Sequence, residues 1–83
     1  MAFKAKILYV ENDVLVRESI VAFLEDYNYE VYAAADGKEA LDQFAKNRPD
    51  VLITDLDLPE ISGIDLIKTI REISAELPVV VVS

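Results

Sequence analysis

Pro49-Asp50-Val51-Leu52-Ile53-Thr54-Asp55-Leu56-Asp57-Leu58-Pro59-Glu60-Ile61-Ser62-Gly63 is the stretch that decides how this chain reads. Val51–Ile53 is a short apolar run without alternation, which suits a strand buried on both faces of a parallel sheet. The run ends in two carboxylates, Asp55 and Asp57. A loop holding Pro59 then leads to Ser62-Gly63-Ile64-Asp65, a capping box that opens a helix. Open α/β sheets place their ligands beyond the carboxyl ends of such strands. Pro59 stiffens the loop, and Gly63 permits either close packing or a special backbone dihedral.

The same pattern continues in both directions. Ile7–Val10, Val31–Ala34 and Val79–Val82 are further apolar runs of strand length. Between the first two, Val16, Ile20, Phe23, Leu24 and Tyr27 recur at three- and four-residue spacing, with Arg17, Glu18 and Glu25 opposite. Asp13 is the predicted N-cap of that helix. A second helix starts at Asp36-Gly37-Lys38-Glu39, where Asp36 caps and Glu39 reaches back; its apolar face is Ala40, Leu41 and Phe44, and Pro49 follows its end. The third presents Leu66, Ile67, Ile70 and Ile73, and Pro78 marks entry to the last strand. Phe23, Phe44 and Tyr27 are expected to pack between helix and sheet, the tyrosine hydroxyls reaching water. The order strand–helix–strand–helix–strand–helix–strand predicts one α/β domain with a parallel sheet and right-handed crossovers.

Composition narrows the chemistry. The 83 residues include 53% hydrophobic and 29% charged side chains, a globular balance. Sixteen acidic residues against eight basic give a net charge of −8, which repels nucleic-acid phosphates and favours cations or a basic partner surface. No cysteine and no histidine occur, so thiol and imidazole chemistry are excluded. No run is long enough to span a membrane, and the first residues do not form a signal peptide, so a cytoplasmic location is expected.

Carboxylates end two strands. Glu11-Asn12-Asp13 follows the first, and Asp55-Leu56-Asp57 closes the third. If those strands are neighbours, Glu11, Asp13 and Asp55 approach one another, and clustered like charges call for a compensating cation. Oxygen-only donors, few in number, suit Mg²⁺. Each position has a plainer reading as an N-cap or a solvated turn residue.

Ile7-Leu8-Tyr9-Val10-Glu11-Asn12-Asp13, the Pro49–Gly63 stretch with its D-x-x-x-P-x-x-x-G spacing, Asp36-Gly37, and Leu77-Pro78-Val79-Val80-Val81-Val82-Ser83 together resemble the receiver domain of bacterial two-component response regulators. The resemblance covers the whole chain. It implies a flavodoxin-like, doubly wound parallel sheet, of order 2-1-3-4-5 when complete. Here residues 1–83 supply βαβαβαβ and lack the fourth helix, fifth strand and fifth helix.

The resemblance also implies roles. Asp55 matches the phosphoacceptor, and Glu11 matches an acid that acts on Mg²⁺ through water. Asn12 stands where a directly coordinating Asp is usual. The backbone carbonyl of Asp57 matches the third protein ligand, with Asp13 a further metal-binding candidate. Ser83 matches the hydroxyl that turns toward the phosphoryl group. Implied partners are a sensor histidine kinase or phosphotransfer protein and a downstream output domain or protein. The implied module accepts a phosphoryl group and is not a turnover enzyme.

Two departures carry expectations. Asn12 brings no formal charge, so Mg²⁺ binding is expected to be weakened and Asn12→Asp to tighten it. The lysine and aromatic switch residue of the family's fifth strand have no counterpart here, so poor phosphorylation and self-association through an open Val79–Val82 edge are expected. Two other readings remain. One is a pseudo-receiver that serves protein contacts without phosphorylation. The other is a haloacid-dehalogenase-type phosphatase, suggested by Asp55-Leu56-Asp57, although that motif usually sits on a first strand.

Overall fold

The computed structural model describes residues 3–82; Ser83, the expected sensing hydroxyl, lies outside the described residues. Elements alternate as β1 (Lys6–Val10), α1 (Val14–Asp26), β2 (Glu30–Ala34), α2 (Gly37–Asn47), β3 (Val51–Asp55), α3 (Gly63–Ile73) and β4 (Val79–Val82). All strand pairings are parallel, and the sheet runs β2-β1-β3-β4. This is the flavodoxin-like order expected for the first four strands.

Strand alternation gives the sheet two apolar faces. Leu8, Val10, Ala34 and Leu52 pack with Ala40 and Phe44 of α2 and with Leu66 and Ile70 of α3 in the main core. Each large side chain buried there contributes about 1.5–3 kcal/mol relative to exposure. Thr54 is also fully buried on this side, its Oγ1 donating to the carbonyl of Asp55 at 2.8 Å. On the other face, Tyr9, Ile53, Val80 and Val82 lie beneath α1.

Helix starts follow the sequence. Asp13 Oδ1 accepts from the amides of Leu15 (2.9 Å) and Val16 (3.1 Å), Asp36 Oδ1 from Glu39 (2.9 Å), and Ser62 Oγ from Asp65 (3.1 Å). Only the forward half of each expected box forms: among the described residues there is no bond from the Asp36 amide to the Glu39 carboxylate, nor from the Ser62 amide to the Asp65 carboxylate. Gly63 is there for space. A Cβ would stand 2.3 Å from the Asp55 carbonyl oxygen and 2.5 Å from Leu56 Cα, and no glycine has positive φ. The special-dihedral reading of Gly63 is therefore set aside in favour of close packing. Gly37 is similar, with a Cβ meeting Ile61 Cβ at 2.9 Å.

Several side chains of the expected apolar faces depart from expectation, Val16 and Ile20 of α1 among them, both exposed. Phe44 is buried, but Phe23 and Tyr27 are 56% and 54% exposed and pack against each other, ring centroids 5.0 Å apart. In fact α1 buries none of its residues. The stripe is wide enough to contact a second helix, and among the described residues none lies beside α1 on that face. Ile73 is also exposed, because it falls on the last residue of α3, beyond the contacts that bury Leu66 and Ile70.

Candidate functional site

The site grows from register. Val10 pairs with Thr54 across β1 and β3, so the next residues, Glu11 and Asp55, emerge side by side at the carboxyl ends of adjacent strands. Both line one cavity of about 440 Å³ with Tyr9, Val16, Ile20, Phe23, Leu24, Ile53, Val80 and Val82. The cavity is apolar along its length and acidic at the end where the strands finish.

Local hydrogen bonds aim these groups. Glu11 Oε2 accepts from the Asp13 amide (3.0 Å), and Asp55 Oδ1 accepts from the Asp57 amide (3.0 Å). The second oxygen of each carboxylate makes no hydrogen bond among the described residues. Asn12 Nδ2 donates to the Ala35 carbonyl (3.2 Å), tying the loop after β1 to the loop after β2 and leaving its Oδ1 as an acceptor. Asp13, a candidate ligand by sequence, caps α1 with its Oδ1. Asp57 is exposed, with its backbone in the turn that follows β3. Below it, the Leu58 and Gly63 amides both donate to the Leu56 carbonyl (3.2 and 2.9 Å), and Glu60 adopts a left-handed φ of 65°.

Two residues were missed in the sequence. Arg17 Nη1 donates to the carbonyls of Glu11 (2.8 Å) and Asn12 (3.3 Å) from below the acidic turn. Its signal was present as a long cation one turn into a helix that follows a strand tip. Tyr9 is 2% exposed and shares a strand face with Glu11, a two-residue parity that sequence alone displays. Burial pushes the Tyr9 phenol above its ordinary range; the nearby charges of Glu11 and Asp55 push the same way, and Arg17 opposes them.

The donor set can be tested against Mg²⁺. Among the described residues no three acidic groups converge closely enough to hold a metal ion by themselves. Two carboxylates, Glu11 and Asp55, share the cavity, and Asn12 and Asp57 follow them on the adjoining turns. Few protein oxygens with room for water is the arrangement Mg²⁺ accepts, so the residues fit.

Residues 7–83 match the family model for the response regulator receiver domain. The chain belongs to the response-regulator receiver family. Curated relatives agree: a response regulator MprA from Mycobacterium sp. (strain KMS) is 38% identical over 78 residues, 94% of this chain and 34% of the relative. The receiver sequence thus spans about a third of the length of those relatives. Among solved structures, chemotaxis response regulator CheY4 of Vibrio cholerae superposes with a TM-score of 0.89 at 37% identity, covering 93% of this receiver and 66% of that chain. A putative response regulator from Chloroflexus aurantiacus gives 0.87 at 40% identity, covering 93% and 65%. A receiver protein from Pseudomonas putida gives 0.90 at 32% identity, covering 100% and 70%. The module belongs to two-component signalling. No helix among its described residues is long and apolar enough to cross a membrane.

Proposed function

We propose that this receiver accepts a phosphoryl group on Asp55 from a sensor histidine kinase or phosphotransfer protein, with Mg²⁺ bound at the same strand tips. The observation that carries this reading is the side-by-side emergence of Glu11 and Asp55 from β1 and β3 at one end of a cavity. A carboxylate oxygen of Asp55 attacks phosphorus; the new O–P bond forms as the P–N bond to the donor imidazole breaks, and the imidazole takes up a proton. Asp55 Oδ2 is the oxygen available for this, because Oδ1 is held by the Asp57 amide. Glu11 through water, Asn12 Oδ1, Asp55 and the Asp57 carbonyl would hold Mg²⁺, with Asp13 a less available donor because it caps α1. Bound there, the ion neutralises charge that builds up on the phosphoryl oxygens.

The new dianion would attract hydroxyl and amide donors, the Ser83 hydroxyl being the one that the family resemblance implies, and so bias the surface that an output domain or protein reads. The chain then serves as a phosphoacceptor working in the cytoplasm. The open β4 edge, with Val80, Val81 and Val82 exposed, supports self-association of the 83-residue chain. Sedimentation as a folded monomer at high concentration overturns that point.

The test of the main reading is incubation of the full-length protein with acetyl phosphate and Mg²⁺. A mass gain of one phosphoryl group is expected, lost in Asp55→Asn. Retention in that variant, or no gain in the unaltered protein, refutes it. The absence of any gain favours the pseudo-receiver, a reading drawn from Asn12, whose amide is engaged with Ala35. Asn12→Asp is expected to tighten Mg²⁺ binding measured by titration; unchanged affinity removes this position from the metal shell.

A further inference from the structure

Arg17 lies one turn into α1, half-buried, with one guanidinium nitrogen shared between the carbonyl oxygens of Glu11 and Asn12 at 2.8 and 3.3 Å. Those carbonyls follow the last residue of β1. The Glu11 amide donates to Ala34 across the sheet at 3.0 Å, so the turn is held from β2 on one side and from α1 on the other. The turn carries Glu11, which lines the acidic end of the cavity, and Asn12, whose Nδ2 is tied to the Ala35 carbonyl.

We propose that Arg17 is a positioning residue for the cation site: it draws the Glu11 and Asn12 carbonyls toward α1 and so fixes the turn from which the Glu11 side chain enters the cavity that Asp55 also lines. This rests on the proposed metal site. Two physical effects of Arg17 on that site have opposite signs, which makes the proposal separable from a charge effect. A positive charge near a bound divalent ion repels it, so by charge alone removing Arg17 tightens Mg²⁺. A guanidinium that orders a ligand-bearing turn favours binding, so by position its removal weakens Mg²⁺. Position outweighs charge here. Both bonds are charge-assisted and the one to Glu11 is short, whereas the repulsion acts across a partly solvated, screened site. Lysine keeps the charge but is a point donor on a flexible stem, and it does not reproduce the planar fork of arginine.

The experiment compares unaltered protein, Arg17→Gln and Arg17→Lys, each checked for fold by circular dichroism, with Asp55→Asn as the metal-site control. Mg²⁺ titrations are followed by amide chemical shifts, and amide hydrogen exchange at Asn12 and Asp13 is measured without metal. Arg17→Gln is expected to weaken Mg²⁺ by about tenfold, the size of effect typical of groups that orient metal ligands. Arg17→Lys is expected to weaken it too, and both variants to speed exchange at the two amides. Tighter or unchanged Mg²⁺ binding in Arg17→Gln overturns the proposal, as does unchanged exchange. If Arg17→Gln fails to fold, Arg17→Lys decides by the same two readouts. If the unaltered protein shows no Mg²⁺-dependent shifts lost in Asp55→Asn, it is the metal reading that fails, and the exchange arm alone judges whether Arg17 holds the turn.

Discussion

On one face of the sheet, α2 and α3 bury Ala40, Phe44, Leu66 and Ile70 against Leu8, Val10 and Leu52; on the other, α1 rides over Tyr9 and Ile53 and buries none of its own residues. The apolar supply does not explain this, since α1 carries as many large aliphatic and aromatic side chains as its counterparts. Approach and neighbours do. Both helices of the packed face begin at a glycine that takes the place of a Cβ clash, Gly37 against Ile61 and Gly63 against Asp55 and Leu56. The packed face has two helices to share the sheet, while α1 stands alone on its side among the described residues. A functional consequence follows. The tightly packed face fixes β1 and β3 in register, and the loosely covered face is where their acidic tips and Tyr9 open into a cavity.

Core truncations test the contrast most severely. Leu66→Ala is expected to cost about 3–4 kcal/mol by urea denaturation, as a fully buried leucine with no room to collapse. Ile20→Ala on α1 is expected to cost about 1 kcal/mol, since the side chain is already partly in water. Equal losses would break the distinction between the faces. Gly63→Ala comes next, at about 2–3 kcal/mol, because the new methyl meets backbone that has no rotamer by which to yield. A neutral result there would show that close approach is not what tightens the α3 side. The smallest effect is on pH dependence. Burial raises the Tyr9 pKa above its unfolded value of 10.0. Its contribution to stability is therefore complete below pH 10 and declines as pH rises from there toward the folded pKa, where the unfolded chain holds fewer protons. Tyrosinate absorbance should show two late-titrating phenols, Tyr9 and Tyr32, the latter raised by its hydrogen bond to the Glu30 carboxylate, and Tyr9→Phe should remove one of them; no change in the late phase of Tyr9→Phe would mean that Tyr9 is more solvated than its face suggests.

The element order and all three N-caps were legible in the sequence, because each depends on local spacing; the strand neighbours came only from the family resemblance. Asp36 and Ser62 could be read from the residues three positions on. The exposure of Phe23 and Tyr27 was not legible: periodicity tells which face of a helix is apolar, not whether anything covers it. Two strands ending in carboxylates made Glu11 and Asp55 candidates, but their meeting needed β1 and β3 to be neighbours, which the resemblance implied and the register shows. By contrast, Arg17 reaching back to the Glu11 carbonyl and Asn12 reaching across to Ala35 depend on side-chain direction between elements, which spacing does not encode. Asp13 left cap and ligand both open, and its Oδ1 is engaged as a cap.

The sheet order also governs how this polypeptide emerges from a ribosome. β1 sits in the interior and bonds on one flank to β3, whose last residue is synthesised 45 positions after Val10. At about 5–20 residues per second that is roughly 2–9 s in which a run of Ile7, Leu8, Tyr9 and Val10 has one side unmatched. An unmatched apolar strand of this kind is prone to aggregation, and the speed of translation from residue 11 to residue 55 sets how long it stays unmatched.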